Sequence, residues 1–312
     1  MDKDFYNEAS AGKLGWTPAW FGEEYFDDDL VKAIQRWQRK NKIKADGLCG
    51  PSTYRRVWTE RQVDISNYEP RCCSHSGAEQ KHIVHNGKFL EIDWDKVVLW
   101  DAPDGLKIKS GQYYDNSGHP SRQPLCFVNH WDVALSAESC AKILNKRGVS
   151  VHFSIDNDGT IYQMLDTQHG AWHCSNRKGN KNSIGVEISN AFYPKYQDWY
   201  VRHGFGARPM IQGAQVHGRN IQDFTGFYPI QLEALRKLWE AIHLGLGIPL
   251  EYPETDGKFC ETIHSSSVNG TFRGFNNHYN YTKGKIDCAA LNLPILLKET
   301  KESIKRKGKT ND

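Results

Sequence analysis

Leu30, Ala33, Ile34 and Trp37 recur at helical spacing behind the acidic run Asp27-Asp28-Asp29. This pattern predicts an amphipathic helix over residues 30–40 with an aspartate cap. Asp46-Gly47 marks a turn, and Gly50-Pro51 opens a second helix over about residues 53–62, with Tyr54, Val57 and Trp58 on one face. No periodicity follows over residues 63–80, which read as a linker. Beyond it the apolar runs shorten. Residues 82–85 and 88–92 flank Asn86-Gly87, a strong hairpin signal. Residues 97–100 read as a short strand, and residues 124–130 and 183–189 as buried strands, the first of these two ending in His130. Residues 151–155 and 160–165 flank a second hairpin turn, Asn157-Asp158-Gly159. Helical spacing returns over residues 136–147, and over residues 229–244 through Ile230, Leu232, Leu235, Leu238, Trp239 and Ile242. Residues 191–228 and 250–277 are aromatic-rich without a period and read as long functional or decorating loops. The lysine-rich end from Lys298 reads as a frayed helix end or a basic arm.

Strands interspersed with helices predict an α/β catalytic domain with a central mixed β-sheet flanked by helices, behind a small all-α N-terminal domain. A length of 312 residues fits two domains. The expected boundaries are a helical domain at 1–62, a linker at 63–80, an α/β domain at 81–300 and a basic tail at 301–312. Composition narrows the class. No apolar run approaches the ~20 residues of a spanning helix, which excludes an integral membrane protein. An aromatic content of 12% with 10 Trp excludes a wholly disordered chain. A net charge of +3 is too small to indicate nucleic acid. The start, Met1-Asp2-Lys3-Asp4-Phe5, predicts no secretory signal. The 8 cysteines form no C-x-x-C pair, so reduced thiols are expected.

With 13 His in the chain, context decides which could bind a metal. A catalytic zinc needs three protein ligands and an open position. His130 stands at the end of an apolar strand, and His278 and Asp287 lie in a segment that could fold back on a metal.

Two resemblances organise these residues. Trp37-Gln38, Asp46-Gly47 and Gly50-Pro51-Ser52-Thr53 together resemble the small helical peptidoglycan-binding domain of cell-wall hydrolases. Residues 126–297 resemble the zinc-dependent N-acetylmuramoyl-L-alanine amidase family, which includes phage amidases and animal peptidoglycan recognition proteins. The matching blocks come in family order: Phe127-Val128-Asn129-His130, Val151-His152-Phe153, Asp158-Gly159-Thr160, Ala171-Trp172-His173, Asn182-Ser183-Ile184-Gly185-Val186-Glu187, then His278 and Lys285-Ile286-Asp287. The resemblance implies His130, His278 and Asp287 as Zn2+ ligands and Glu187 as the general acid and base. It implies Lys285 near the developing oxyanion, and Trp172 and His173 along the substrate groove. Two positions depart from the pattern. Cys288 replaces the usual proline and stands beside Asp287 as a second candidate ligand; the Lys-x-ligand spacing favours Asp287. Val151 replaces a tyrosine found in some members, which shifts proton transfer onto Glu187.

The activity implied is cleavage of the amide between N-acetylmuramic acid and L-alanine, by an endolysin held in the host cytoplasm until release to the wall. The partner implied is peptidoglycan, both glycan strand and stem peptide, with no nucleic acid, no membrane insertion and a monomeric chain. A non-catalytic peptidoglycan recognition protein is the first alternative. A cysteine-dependent peptidase using Cys140 or Cys174 is the second. His152 is expected to pack within the sheet, and His169, His217 and His264 to be surface or loop residues.

Overall fold

The computed structural model describes residues 2–64, 81–120 and 122–310. Most of the expected linker, with Cys72 and Cys73, lies outside the described residues.

Three helices build the N-terminal domain: α1 (Lys3–Leu14), α2 (Asp28–Lys40) and α3 (Pro51–Val63). Leu14, Trp16, Leu30, Ile34 and Tyr54 form its core. The Asp27 carboxylate caps α2 by accepting the N–H groups of Asp29 and Leu30. The hydrophobic pattern missed α1, because its buried face consists of Asn7, Ala11 and Leu14 and carries little apolar signal. Gln38 explains why the three short motifs of this domain occur together. It is buried, and its Nε2 donates to Asp46 Oδ1 (3.0 Å), the Leu48 carbonyl (3.1 Å) and Thr53 Oγ1 (3.1 Å). Its Oε1 accepts the Gly47 N–H at 2.9 Å. Gly47 has a φ of +78°, and a Cβ there would meet Val31 Cγ1 at 2.6 Å, so only glycine suits the turn.

The second domain is built on a mixed sheet of six strands: β1 (Val97–Leu99), β2 (Cys126–Trp131), β3 (Phe153–Ile155), β4 (Ile161–Gln163), β5 (Ser183–Ile188) and β6 (Gly274–Asn277). Their order is β6-β2-β5-β3-β4-β1. Only the β3–β4 hairpin pair is antiparallel. Every residue of β2 is buried, as a parallel strand covered on both faces requires. Helix α4 (Ala137–Arg147) packs Cys140, Ala141 and Leu144 with Tyr162 and Met164 on one side. On the other, α5 (Pro229–Leu246) sets Leu235, Leu238, Trp239 and Ile242 against Phe127, Phe153 and Phe275.

Two expectations change. Residues 250–277 are not all loop, since their last four residues form the edge strand β6. Its sequence, Gly-Phe-Asn-Asn, has little strand propensity. The backbone forms because β2 offers it a parallel partner, Gly274 facing Cys126 through Asn277 facing Asn129. The basic end is a helix, α6 (Leu293–Thr310), running through the expected boundary at 301. Lys307 on α6 pairs with Glu240 at 2.6 Å and Asp93 at 2.7 Å, which ties this end to the α/β domain.

The two domains touch directly. From α3, Thr59 Oγ1 donates to the Val133 carbonyl at 2.7 Å and Trp58 Nε1 to Ser139 Oγ at 3.2 Å. Arg56 Nε donates to the Tyr193 hydroxyl at 2.6 Å, and Lys195 pairs with Glu60 at 2.9 Å. Helix α3 therefore lies along α4 and the segment after β5.

Candidate metal centre and catalytic pocket

Sheet order brings the chemistry together. Strands β6, β2 and β5 are adjacent and parallel, and ligands of such sheets gather beyond the carboxyl ends of the strands. His130 lies near the end of β2, directly opposite Glu187 on β5. Paired residues on neighbouring strands point to the same face, so both side chains emerge together. His278 follows β6 at the same level. Asp287 returns on the next segment, where its carbonyl accepts the Tyr279 N–H at 3.0 Å.

His130 Nδ1 lies 2.9 Å from His278 Nδ1 and 3.2 Å from Asp287 Oδ2, and His278 Nδ1 lies 2.9 Å from the same oxygen. Donor atoms bound tetrahedrally to one zinc at ~2.0–2.1 Å stand about 3.3 Å apart. Two imidazole nitrogens and a carboxylate oxygen turned onto one point suit a divalent ion in both chemistry and spacing. The outer nitrogens have partners of their own: His130 Nε2 meets His173 Nδ1 at 2.9 Å, and His278 Nε2 meets Ser175 Oγ at 3.1 Å. An outer nitrogen that donates its proton leaves the Nδ1 lone pair free to face inward. Burial lowers His278 to a pKa of about 3, which keeps its ring neutral. Burial opposes charge on Asp287 and the Lys285 ammonium favours it; the carboxyl is held well below its usual range.

The three residues line a cavity of about 390 Å³ together with Glu187, Lys285 and Trp172. Glu187 Oε2 is buried without a hydrogen-bond partner. Burial raises the Glu187 pKa and His130 counters it, so this carboxyl is more basic than an exposed one. Burial lowers the Lys285 pKa, while Asp287 and Glu187 support its charge. Trp172 lines the cavity with its indole N–H unpartnered, and His173 lines it while bracing His130. The His173 ring needs Gly185 on β5, where a Cβ would come within 2.6 Å of it.

Of the two neighbouring candidates, Asp287 joins the histidines and Cys288 turns into the apolar core beside Ala289 and Leu291. Cys140 and Cys174 are buried, and burial pushes both thiols well above their ordinary pKa. Cys174 Sγ lies 3.3 Å from His173 Nδ1, but a thiol held protonated is no nucleophile. His152 is buried in the sheet, between the Gly185 N–H and the His169 carbonyl. His217 sits in a turn as expected, yet braces the site: its Nε2 meets the Lys285 carbonyl at 2.9 Å and its Nδ1 meets Thr262 Oγ1 at 3.0 Å. The two long segments, 191–228 and 250–277, thus support the Lys285 segment. Sequence reasoning did not find Arg55 and Arg147, which line the same cavity; no motif marks either.

A family model described as N-acetylmuramoyl-L-alanine amidase matches residues 120–280, and the chain belongs to this family. A second model, for a peptidoglycan binding domain, matches residues 14–57. No curated protein matches the sequence. Among solved structures, the chain is similar to the hydrolase AmiA of Staphylococcus aureus in complex with its ligand, at 12% identity and a TM-score of 0.39, over 66% of this chain and 82% of that one. It is also similar to AmpDh3 from Pseudomonas aeruginosa in complex with anhydromuramic pentapeptide, at 17% identity and a TM-score of 0.37, over 62% and 66%. A third is AmiD from E. coli with anhydro-N-acetylmuramic acid-L-Ala-D-gamma-Glu-L-Lys, at 20% identity and a TM-score of 0.29, over 44% and 54%.

Proposed function

We propose that this amidase hydrolyses the bond between N-acetylmuramic acid and L-alanine of peptidoglycan, with Zn2+ held by His130, His278 and Asp287. The observation carrying the proposal is the convergence of these three donor sets beside the unpartnered Glu187 carboxylate in one cavity. When bound, the ion supplies Lewis acidity, lowering the pKa of water and polarising a carbonyl. Glu187 Oε2 takes the proton of the attacking water and delivers it to the departing alanine nitrogen, a role suited to its raised pKa. The Lys285 ammonium stabilises the substrate oxygen that gains charge as the amide carbon becomes tetrahedral. His173 and Ser175 fix the two ligand rings. Trp172 offers an apolar wall and an N–H to the substrate.

The N-terminal domain holds the chain on the wall and raises the local substrate concentration. This pairing supports a cell-wall lytic role of the endolysin kind, acting on peptidoglycan. Among the described residues, no helix is long and apolar enough to cross a membrane. Digestion of purified peptidoglycan tests the reading. New L-alanine amino termini should appear without new reducing sugars, vanish on chelation and return with zinc. New reducing ends, or activity that survives chelation, would overturn it.

A further inference from the structure

Helix α3 belongs to the wall-binding domain, yet its Arg55 lines the catalytic cavity. Facing the same cavity is Arg147, the last residue of α4. The Nε atoms of both guanidinium groups are buried without a hydrogen-bond partner. Among the described residues, neither arginine forms an ion pair with a carboxylate. Two guanidinium groups brought together repel one another and lose hydration, an arrangement that a bound anion relieves. Burial and the neighbours Arg147 and Arg56 lower the Arg55 pKa to about 10, whereas Glu187 and Asp287 support its charge, so Arg55 remains a cation at neutral pH. The placement is enforced by the domain contact, with Thr59 and Trp58 bonded to Val133 and Ser139 one turn further along α3.

We infer that Arg55 and Arg147 together form a carboxylate-binding subsite for the stem peptide, so that the wall-binding domain completes the substrate pocket as well as tethering the enzyme. The inference rests on the amidase reading above. A carboxylate is the natural occupant, because its two oxygens match the planar fork of a guanidinium. The glycan offers none near the scissile bond, since the lactyl carboxyl is itself the amide being cut. The peptide carries free carboxyls beyond L-alanine.

The test uses the full-length protein and two soluble substrates, for which wall tethering is irrelevant. One is N-acetylmuramoyl-L-Ala-D-γ-Glu-L-Lys, and the other is the same compound with its carboxyls amidated. The wild type should favour the free acid in kcat/KM by about 10- to 100-fold, the worth of a charge-assisted hydrogen-bond pair. In Arg55→Ala that preference should collapse toward unity through KM, with zinc content retained. Arg55→Lys, which keeps the charge but not the fork, should fall between, and it serves if Arg55→Ala does not fold. An undiminished preference in both variants, or an equal loss on both substrates, would overturn the subsite. Calorimetric binding of the same two compounds separates this from the amidase reading. If the wild type cleaves neither, an Arg55-dependent preference in binding sustains the subsite while the activity falls. Equal binding of the two compounds overturns the subsite.

Discussion

Replacing Glu187 with glutamine isolates the proton-transfer step. Glu187 stands opposite His130 in the β2–β5 register, and its Oε2 is buried without a partner. Glutamine keeps the volume and the strand but cannot accept and return a proton. General acid and base catalysis contributes about 10²- to 10⁴-fold, so kcat should fall by that factor. At 1.36 kcal/mol per tenfold, this is about 3–5 kcal/mol of transition-state stabilisation. KM should change little, since Glu187 reaches the substrate only through the transferred proton. The three donor atoms belong to His130, His278 and Asp287, so zinc content should remain at that of the wild type. Steady-state kinetics on a soluble muropeptide, with metal analysis of the same preparation, makes both measurements. If Glu187→Gln retains kcat within about threefold of wild type, the assigned role is wrong. If it loses zinc instead, Glu187 belongs to the metal centre.

Gly185→Ala should drive a Cβ to within 2.6 Å of the His173 ring and push that ring off His130. Zinc affinity should drop about 10- to 100-fold, the usual effect of losing an outer partner; a competing chelator would report it, and unchanged affinity would count against the His173–His130 brace. Asp156 tests the pH dependence of stability. Burial raises its pKa from 3.8 to about 6 in the folded chain. Between those values the folded state binds more protons, so this group's contribution to stability is lost as pH rises. Asp156→Asn retains an acceptor for the Ala137 and Asn157 N–H groups and should gain up to about 3 kcal/mol over wild type between pH 4 and pH 7. Urea unfolding across that range measures the difference, and a constant offset would contradict the reasoning.

The sequence by itself determined many of the local elements and named the candidate residues of the site. Asp27, Gly50-Pro51, Asn86-Gly87 and Asp158-Gly159 act over a few residues, so their caps and turns are readable without a fold. The order of histidine, glutamate, histidine and aspartate blocks was readable too, because each sits in a short motif. Which of Asp287 and Cys288 faces the histidines was decided by the return of that segment past Tyr279. Strand β6, weak in propensity, exists because β2 supplies its partner, and α1 exists because its polar Asn7 is satisfied by Gly47 and Cys49. The presence of Arg55 in the pocket was likewise beyond any local pattern. It depends on how α3 packs on α4, a contact between residues more than 70 positions apart in the chain, as the Thr59–Val133 bond illustrates.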